Sequence, residues 1–248
     1  MIIGGVGNRL SDMQEPSFQH WTRNALFATG LLASSAQAAV EPSFDKVDLR
    51  NGRDINEVCA GCHGEFGQGG KEGEYPRLAG LPAAFIAHQL ALFRDRKRTN
   101  LAMVESVDHR QMPDPDIQDV SAYLAGLEIT SKLPPADETA PGFNAYERLL
   151  ASKRLVQIPR AEGDLEAGKK IYRRECASCH GAQGQGDQKD AVPFLAGQYT
   201  NYLWRQIDKY IAKGRVHDLS EPDAEELLAA FKAEELRDIF AYLSTLDD

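Results

Sequence analysis

The chain has 248 residues, a length that suits one large or two small domains, and 42% of its residues are apolar, an ordinary share for a globular protein. No run of about 18 apolar residues predicts a membrane span. The formal net charge of −9 argues against nucleic acid as a partner, because a nucleic-acid-binding surface is normally basic.

The N-terminus has the pattern of a secretory signal peptide over residues 1–38. His20 and Arg23 precede an apolar stretch over residues 25–33, and small residues ending in Ala36-Gln37-Ala38 follow it. About nine apolar residues are too few to cross a bilayer. We therefore expect export, cleavage after Ala38 and no stable membrane span after the signal is removed. Met13 is an alternative start of the chain.

All four cysteines lie in two Cys-x-x-Cys-His motifs, which occupy residues 59–63 and 176–180. This motif is the attachment signature of c-type haem: two thiols on one helical turn reach the two vinyl groups, and the histidine reaches the iron. A zinc site would require the two cysteine pairs to converge, and a redox dithiol belongs near a βαβ pattern, which this sequence lacks. The sequence therefore predicts two covalently bound haem c groups. The expected attachment residues are Cys59, Cys62, Cys176 and Cys179, and the expected proximal ligands are His63 and His180.

The two motifs belong to an internal repeat with an offset of 117 residues. Pro76, in a Pro-x-Leu-Ala-Gly sequence, is matched by Pro193, and each proline follows its motif histidine by 13 residues. After a two-residue slip, Ala122-Tyr123-Leu124 is matched by Ala241-Tyr242-Leu243. Self-similarity over this length indicates a duplicated domain.

Each repeat is predicted to be helical, because apolar residues recur at helical spacing and no alternating β-branched run predicts a strand. The first repeat ends in an amphipathic helix, for which we predict Asp114 as N-cap and Pro115 as first helical residue. The second begins with a helix capped by Asp164. The predicted boundaries are residues 39–130 for the first domain, 131–162 for a proline- and charge-rich linker with a short helix within 143–156, and 163–248 for the second domain.

These features together resemble class I cytochrome c domains: the haem motif, a Gly-x-Gly loop, the Pro-x-Leu-Ala-Gly turn, a helix with Gln and aromatic residues, and the terminal Ala-Tyr-Leu helix. The resemblance covers about residues 47–130 and 163–248, and two such domains after a signal peptide resemble the dihaem cytochrome c4 family. It implies an all-α fold of two tandem class I cytochrome c domains, joined here by a long, partly helical linker. It also implies a periplasmic carrier of single electrons between redox protein partners, with the haem edges close together. The chain departs from the family in its longer linker and in the absence of a methionine from its second domain.

The sixth iron ligands are expected to differ between the two domains. The stretch from Arg98 to Met103 resembles the family segment that ends in the ligand methionine, so Met103 is favoured over Met112 and His109. No methionine follows Cys176, and His217 occupies the repeat position of Asn100 in the same ligand-bearing loop. We therefore predict His217 as the second-domain ligand. The alternatives are a lysine, Lys213 or Lys232, and an open site.

The favoured function is electron carriage rather than catalysis, because no constellation of acid, base and nucleophile stands out and no catalytic residue is predicted. Two alternatives remain. One is a haem enzyme whose second iron is open, and the other is an electron-accepting subunit of a larger complex, for example a sulfur-oxidising one.

Overall fold

Ten α-helices, one short 3-10 helix (Lys71–Gly73) and three isolated β-bridges account for the regular structure of the described residues. The computed structural model describes residues 44–110, 112–215 and 224–246. The predicted signal peptide with its cleavage site after Ala38 and the predicted ligand His217 lie outside these ranges. The prediction of an all-α fold is confirmed.

Four helices come from the first repeat and five from the second, and one lies between them. The first four are α1 (Leu49–His63), α2 (Ala83–Arg94), α3 (Leu101–Arg110) and α4 (Asp114–Ala125). The helix between the repeats is α5 (Ala145–Ser152). The last five are α6 (Leu165–Glu175), α7 (Ala177–His180), α8 (Thr200–Ile211), α9 (Ala224–Ala230) and α10 (Ala233–Leu243).

The first and last helices of each repeat cross at a glycine. A Cβ added at Gly52 of α1 would lie 2.3 Å from the backbone oxygen of Asp119 in α4. A Cβ at Gly168 of α6 would lie 1.9 Å from the backbone oxygen of Asp238 in α10. The carboxylates of the same two aspartates accept hydrogen bonds from the backbone just before each N-terminal helix, at 2.8 Å from Asp48 N and 2.9 Å from Asp164 N. Each repeat is thus closed by one close helix crossing.

One of the two predicted helix caps is correct and the other is not. The Asp164 carboxylate accepts from the backbone N–H groups of Glu166 and Ala167, as expected for an N-cap. Asp114 is instead the first residue of α4, and Pro113 precedes the helix without a side-chain cap. The reason is that the Asp114 carboxylate pairs with Arg94 of α2 at 2.8 Å, so it holds two helices together rather than capping its own.

Two separate apolar cores lie under the two sets of helices. In the first repeat the buried side chains include Ile55, Val107 and Leu124, and in the second they include Tyr172 and Leu243. Phe194, from the second repeat, is buried within the first core, so the cores meet across the domain boundary.

The linker forms a loop whose two ends are hydrogen-bonded to each other. Thr130 N donates to Arg154 O at 3.1 Å, and Val156 N donates to Thr130 O at 2.9 Å. The loop between these residues contains α5. Helix α5 is shorter than the predicted 143–156 range. Beyond it, Val156 and Ile158 are buried against Tyr199 of the second repeat. The linker therefore packs on the second repeat as a structured segment.

Helix α3 is an element that the sequence reading placed in a loop. It covers Leu101–Arg110 and contributes Val104 and Val107 to the first core, so tertiary packing favours a helix where the repeat comparison indicated only a ligand-bearing loop. No helix of the described residues is long and apolar enough to span a bilayer.

Candidate haem-attachment sites

The first Cys-x-x-Cys-His motif forms the last turn of α1. Cys59 is half-buried, Cys62 is exposed and His63 is buried, with 7% of its surface exposed. Gly64 ends the helix with φ +82°, a conformation that directs the chain away immediately after the histidine and that favours glycine. The motif thus presents both thiols and the imidazole from a single helical turn.

The second motif has the same arrangement, but its helix is interrupted. Helix α6 ends at Glu175, the short α7 carries Ala177–His180, and Gly181 repeats the turn with φ +81°. Cys179 is exposed, as is its counterpart Cys62. The four cysteines all lie in the described residues, and none forms a disulfide.

Each motif histidine is held by a proline carbonyl. His63 Nδ1 lies 3.0 Å from Pro76 O, and His180 Nδ1 lies 2.9 Å from Pro193 O. Because a carbonyl can only accept, Nδ1 carries the proton and donates, which leaves Nε2 as the nitrogen suited to bind iron. Burial lowers the pKa of His63, partly offset by the Pro76 hydrogen bond, and so favours the neutral imidazole that a metal ligand requires.

The loop after each histidine places the proline. In the first repeat Gly69 N donates to His63 O at 2.8 Å, and a bridge joins Gly70 to Tyr75. In the second, Gly186 N donates to His180 O at 2.8 Å, and a bridge joins Asp187 to Val192. The sequence separation of 13 residues between histidine and proline is therefore spanned by the same compact loop in both repeats.

The thiol chemistry fits thioether attachment better than the rival uses of a Cys-x-x-Cys pair. Burial raises the pKa of Cys176 to about 11, whereas a redox dithiol or a zinc ligand needs an accessible thiolate. In residues 44–110, 112–215 and 224–246 no group of three or more His, Cys, Asp or Glu side chains is arranged to hold a metal ion. Two thiols beside a carbonyl-oriented imidazole in each repeat fit a covalently attached haem.

The predicted sixth ligands of the first domain occupy different positions. Met103 lies on α3, half-buried, where it packs against the edge of the first core. Met112 is only 4% exposed and belongs to the interior of that core. The side chain of His109 lies outside the part of the molecule that is described.

For the second domain, His217 falls outside the described residues, and the two alternative lysines are exposed. Lys213 follows α8, and Lys232 precedes α10. The identity of the second sixth ligand therefore stays a prediction.

A buried polar group joins the two repeats, and sequence reasoning did not identify it as a site. We call it the arginine cluster; its members are Gln89, Arg98, Tyr202, Gln206 and Arg215. Arg98 Nη1 donates to Gln89 Oε1 at 2.7 Å and Arg98 Nη2 donates to Gln206 Oε1 at 2.9 Å, so one guanidinium bonds both repeats. Arg215 does the same, at 2.9 Å to Gln206 Oε1 and 3.3 Å to Gln89 Oε1. One feature of the sequence could have identified the cluster: the two glutamines, and likewise the two arginines, are related by the repeat offset of 117 residues.

A second contact across the repeats involves the Pro-x-Leu-Ala-Gly turns. The Arg77 backbone N–H donates to Gln198 Oε1 at 3.0 Å, and Gln198 Nε2 donates back to Arg77 O at 2.9 Å. The Arg77 guanidinium stacks over Phe194, 4.4 Å from the ring centre. The loops that hold the two motif histidines therefore meet at one interface.

Comparisons with known proteins agree with this geometry. The sequence profile of the cytochrome c family matches residues 49–128 and 165–247, once in each repeat. The chain is 25% identical over 199 residues to cytochrome c4 of Pseudomonas aeruginosa, covering 80% of this chain and 89% of that protein. It is 29% identical over 201 residues to a thiosulfate dehydrogenase electron acceptor of Stutzerimonas stutzeri, covering 80% and 82%.

A solved structure shares the fold. The reduced recombinant cytochrome c4 of Pseudomonas stutzeri aligns with a TM-score of 0.61 at 19% identity, over 80% of this chain and 98% of that one. With the two Cys-x-x-Cys-His motifs, their carbonyl-oriented histidines and the twofold match of the family profile in place, the chain belongs to the cytochrome c family, as a dihaem class I member with one covalently bound haem c in each domain.

Proposed function

We propose that this protein is a periplasmic carrier of single electrons that passes them between redox protein partners through its two haems. The observation that carries the proposal is the matched pair of histidines, each with its Nδ1 proton held by a proline carbonyl and both belonging to domains that share one interface. An imidazole whose Nδ1 proton is held in this way suits reversible change of the iron oxidation state, because the ligand does not have to reorient. The family relationship supports a location outside the cytoplasm.

The proposed domains are residues 39–130 and 163–248, with a linker over 131–162. In the first, Cys59 and Cys62 hold the haem while His63 and Met103 bind the iron. In the second, Cys176 and Cys179 hold the haem while His180 and His217 bind the iron. The half-buried position of Met103 supports Met103 as the iron ligand over Met112, because the side chain of Met112 is packed inside the core.

A second candidate function is that of a dedicated electron acceptor for a sulfur-oxidising dehydrogenase. A relative that matches over 80% of this chain carries the name thiosulfate dehydrogenase electron acceptor, and this observation favours the candidate. It differs from the general carrier in having one preferred donor rather than several.

The test is rapid mixing of the oxidised holoprotein with reduced electron donors. The carrier proposal expects both haems to be reduced reversibly, with neither ferrous haem binding carbon monoxide. The dedicated-acceptor candidate expects fast reduction by a thiosulfate dehydrogenase and slow reduction by unrelated dehydrogenases. Carbon monoxide binding at the second haem would contradict the proposed His217 ligation and favour a haem enzyme with an open site.

The periplasmic part of the proposal is tested separately on the native protein. N-terminal sequencing is expected to show cleavage after Ala38, and fractionation should place the haem protein in the periplasm. A mature chain beginning at Met1 or Met13 in the cytoplasm would contradict it.

A further inference from the structure

A cavity of about 830 Å³ lies where the linker meets the second repeat and the first Pro-x-Leu-Ala-Gly turn. We call it the interdomain cavity. Apolar and polar side chains both line it, and those that matter here are Ile129, Val156 and Leu246 on the apolar side and Arg77, Ser131 and Gln183 on the polar side. An apolar wall with a few polar groups is typical of a site for a small molecule.

Arg77 brings a positive charge to this cavity without an anionic partner among the described residues. Its Nε donates to Ala79 O at 3.1 Å and its Nη1 donates to Gly197 O at 3.4 Å, so both acceptors are neutral carbonyls. Burial lowers the pKa of Arg77 to about 10. The guanidinium lies over the Phe194 ring, which fixes the plane of its fork. A desolvated, oriented guanidinium binds a carboxylate strongly, because the hydrogen bonds are charge-assisted.

Ser131 supplies a second polar group that lacks a partner. The residue is 9% exposed, and its hydroxyl oxygen is buried with no hydrogen-bond partner in the described part of the chain. Buried polar atoms of native proteins are nearly always hydrogen-bonded, so an unpaired hydroxyl in a cavity wall indicates a missing ligand atom. This hydroxyl can donate to a ligand without giving up an existing bond.

The cavity also breaks the similarity between the two repeats. In the first repeat the linker covers the loop after the haem motif: Arg154 stacks over Phe66 at 4.5 Å, and Gln68 Nε2 donates to Lys153 O at 3.5 Å. The equivalent residues of the second repeat, at the offset of 117, are glutamines 183 and 185, and both line the cavity. The linker therefore fills this place on the first repeat and leaves it open on the second.

We propose that the interdomain cavity binds a small organic carboxylate. Its carboxylate group accepts hydrogen bonds from Arg77 and Ser131, and its apolar body lies against Ile129, Val156 and Leu246. The carboxylate neutralises the unpaired guanidinium, and the apolar body removes the side chains of the opposite wall from water. The site consists of protein groups that do not hold iron, so this inference goes beyond the proposed electron transfer and does not depend on it.

The experiment is a calorimetric titration of the dihaem protein with 3-phenylpropionate. We expect one binding site per chain with a dissociation constant of about 1 mM or below, an affinity within reach of a ligand of this size. The uncharged 3-phenylpropionamide is the ligand control, and it should bind at least about tenfold more weakly because it lacks the charge that Arg77 recognises. The visible haem spectrum should stay unchanged during the titration.

Three variants of the cavity wall locate the site. Arg77→Gln is expected to weaken binding of 3-phenylpropionate about tenfold or more, and Ser131→Ala about threefold, because each removes a donor to the carboxylate. Gln183→Glu adds a negative charge to an exposed side chain of the wall and should weaken binding about threefold. The matched control is Gln118→Glu on α4, which adds the same charge away from the lining residues and should leave the affinity unchanged.

Several outcomes would overturn the inference. They are the absence of binding at about 10 mM, equal affinities for the acid and its amide, and an affinity that Arg77→Gln leaves unchanged. If Arg77→Gln does not fold, Ser131→Ala and Gln183→Glu decide, because neither removes a hydrogen bond of the folded protein that involves the altered side chain. A haem spectrum that shifts with the same dissociation constant would show that the probe binds iron instead of the cavity.

Discussion

At the residue scale, the two methionines of the first domain differ in how deeply they are buried. Met103 is half-buried on α3, whereas Met112 is buried in the core with Ile117 and Val120. A sulfur that binds iron must face the cofactor, and a sulfur in a packed core fills space between apolar side chains.

Met103→Ala is expected to open the sixth position of the first haem, because Met103 is the proposed thioether ligand. The ferric spectrum should lose the charge-transfer band of methionine-ligated haem, and the ferrous haem should bind carbon monoxide. Met112→Leu is the matched control: it should keep the spectrum and cost less than about 1.5 kcal/mol of unfolding free energy, as volume-conserving core changes do. Loss of ligation in the Met112→Leu variant instead would reverse the assignment.

For the second haem, His217→Ala is expected to change both its spectrum and its potential, because His217 is the proposed imidazole ligand. Visible spectroscopy with and without carbon monoxide measures the change. Lys213→Ala and Lys232→Ala should leave that haem unaltered, since both lysines are exposed and are only alternative ligands. A second haem that is insensitive to His217→Ala would refute the ligand prediction.

At the scale of the elements, each domain depends on a helix crossing that only glycine permits. The predicted caps and helical spacings place α6 and α10, but the distance between them is set by Gly168, whose hydrogen faces the backbone of Asp238. Any side chain at this position has to separate two helices whose apolar faces, including Tyr172 and Ile239, form the second core.

Gly168→Ala is therefore expected to destabilise the second domain by about 1–3 kcal/mol or more, the range for overpacked interiors. Denaturant unfolding followed by haem absorbance in each domain measures the effect. Gly142→Ala is the control, because a Cβ there meets no atom within 4 Å, and its unfolding free energy should change by no more than about 0.5 kcal/mol. If the two variants had equal unfolding free energies, α6 and α10 would be able to move apart without a loss of stability.

At the scale of the whole molecule, the chain should carry two haems in domains that are chemically distinct. The mature protein is expected to exceed its apoprotein mass by two haems, and the haems should stay with the polypeptide in acidic acetone. Cys176→Ala combined with Cys179→Ala should leave one haem, held by Cys59 and Cys62. A mass corresponding to fewer than two haems in the unaltered protein would contradict the attachment chemistry.

The two haems are also expected to differ in potential, because a thioether stabilises ferrous iron and a second imidazole stabilises ferric iron. Axial ligands move haem potentials over about 0.8 V in total, so this difference should contribute on the order of 0.1–0.3 V. Electrons would enter at the Cys176 haem and collect on the Cys59 haem, since about 59 mV is a tenfold preference for one electron.

A potentiometric titration should resolve two steps. His217→Met is expected to raise the lower step, and Met103→His is expected to lower the upper one. A single step with both ligand sets intact would show that burial and propionate charge cancel the ligand difference.

The sequence by itself determined the haem chemistry and the duplication. Two thiols and a histidine within one helical turn are a local arrangement, so their spacing predicts attachment without knowledge of the rest of the chain. The repeat offset predicted two equivalent helical domains. It also paired the two prolines that follow the motif histidines by 13 residues, but only the structure shows that their carbonyl oxygens lie 3.0 and 2.9 Å from the histidine Nδ1 atoms.

Tertiary structure alone decided the features that depend on distant residues. Asp114 pairs with Arg94 of α2 and therefore does not cap its own helix, and α3 forms because its apolar side chains reach the first core. Arg98 meets Gln206, 108 positions away in the chain, only because the two domains dock. The periodic pattern of a helix indicates which of its faces is apolar, but not which other element that face packs against. The arginine cluster depends on this packing, because its residues come from both domains.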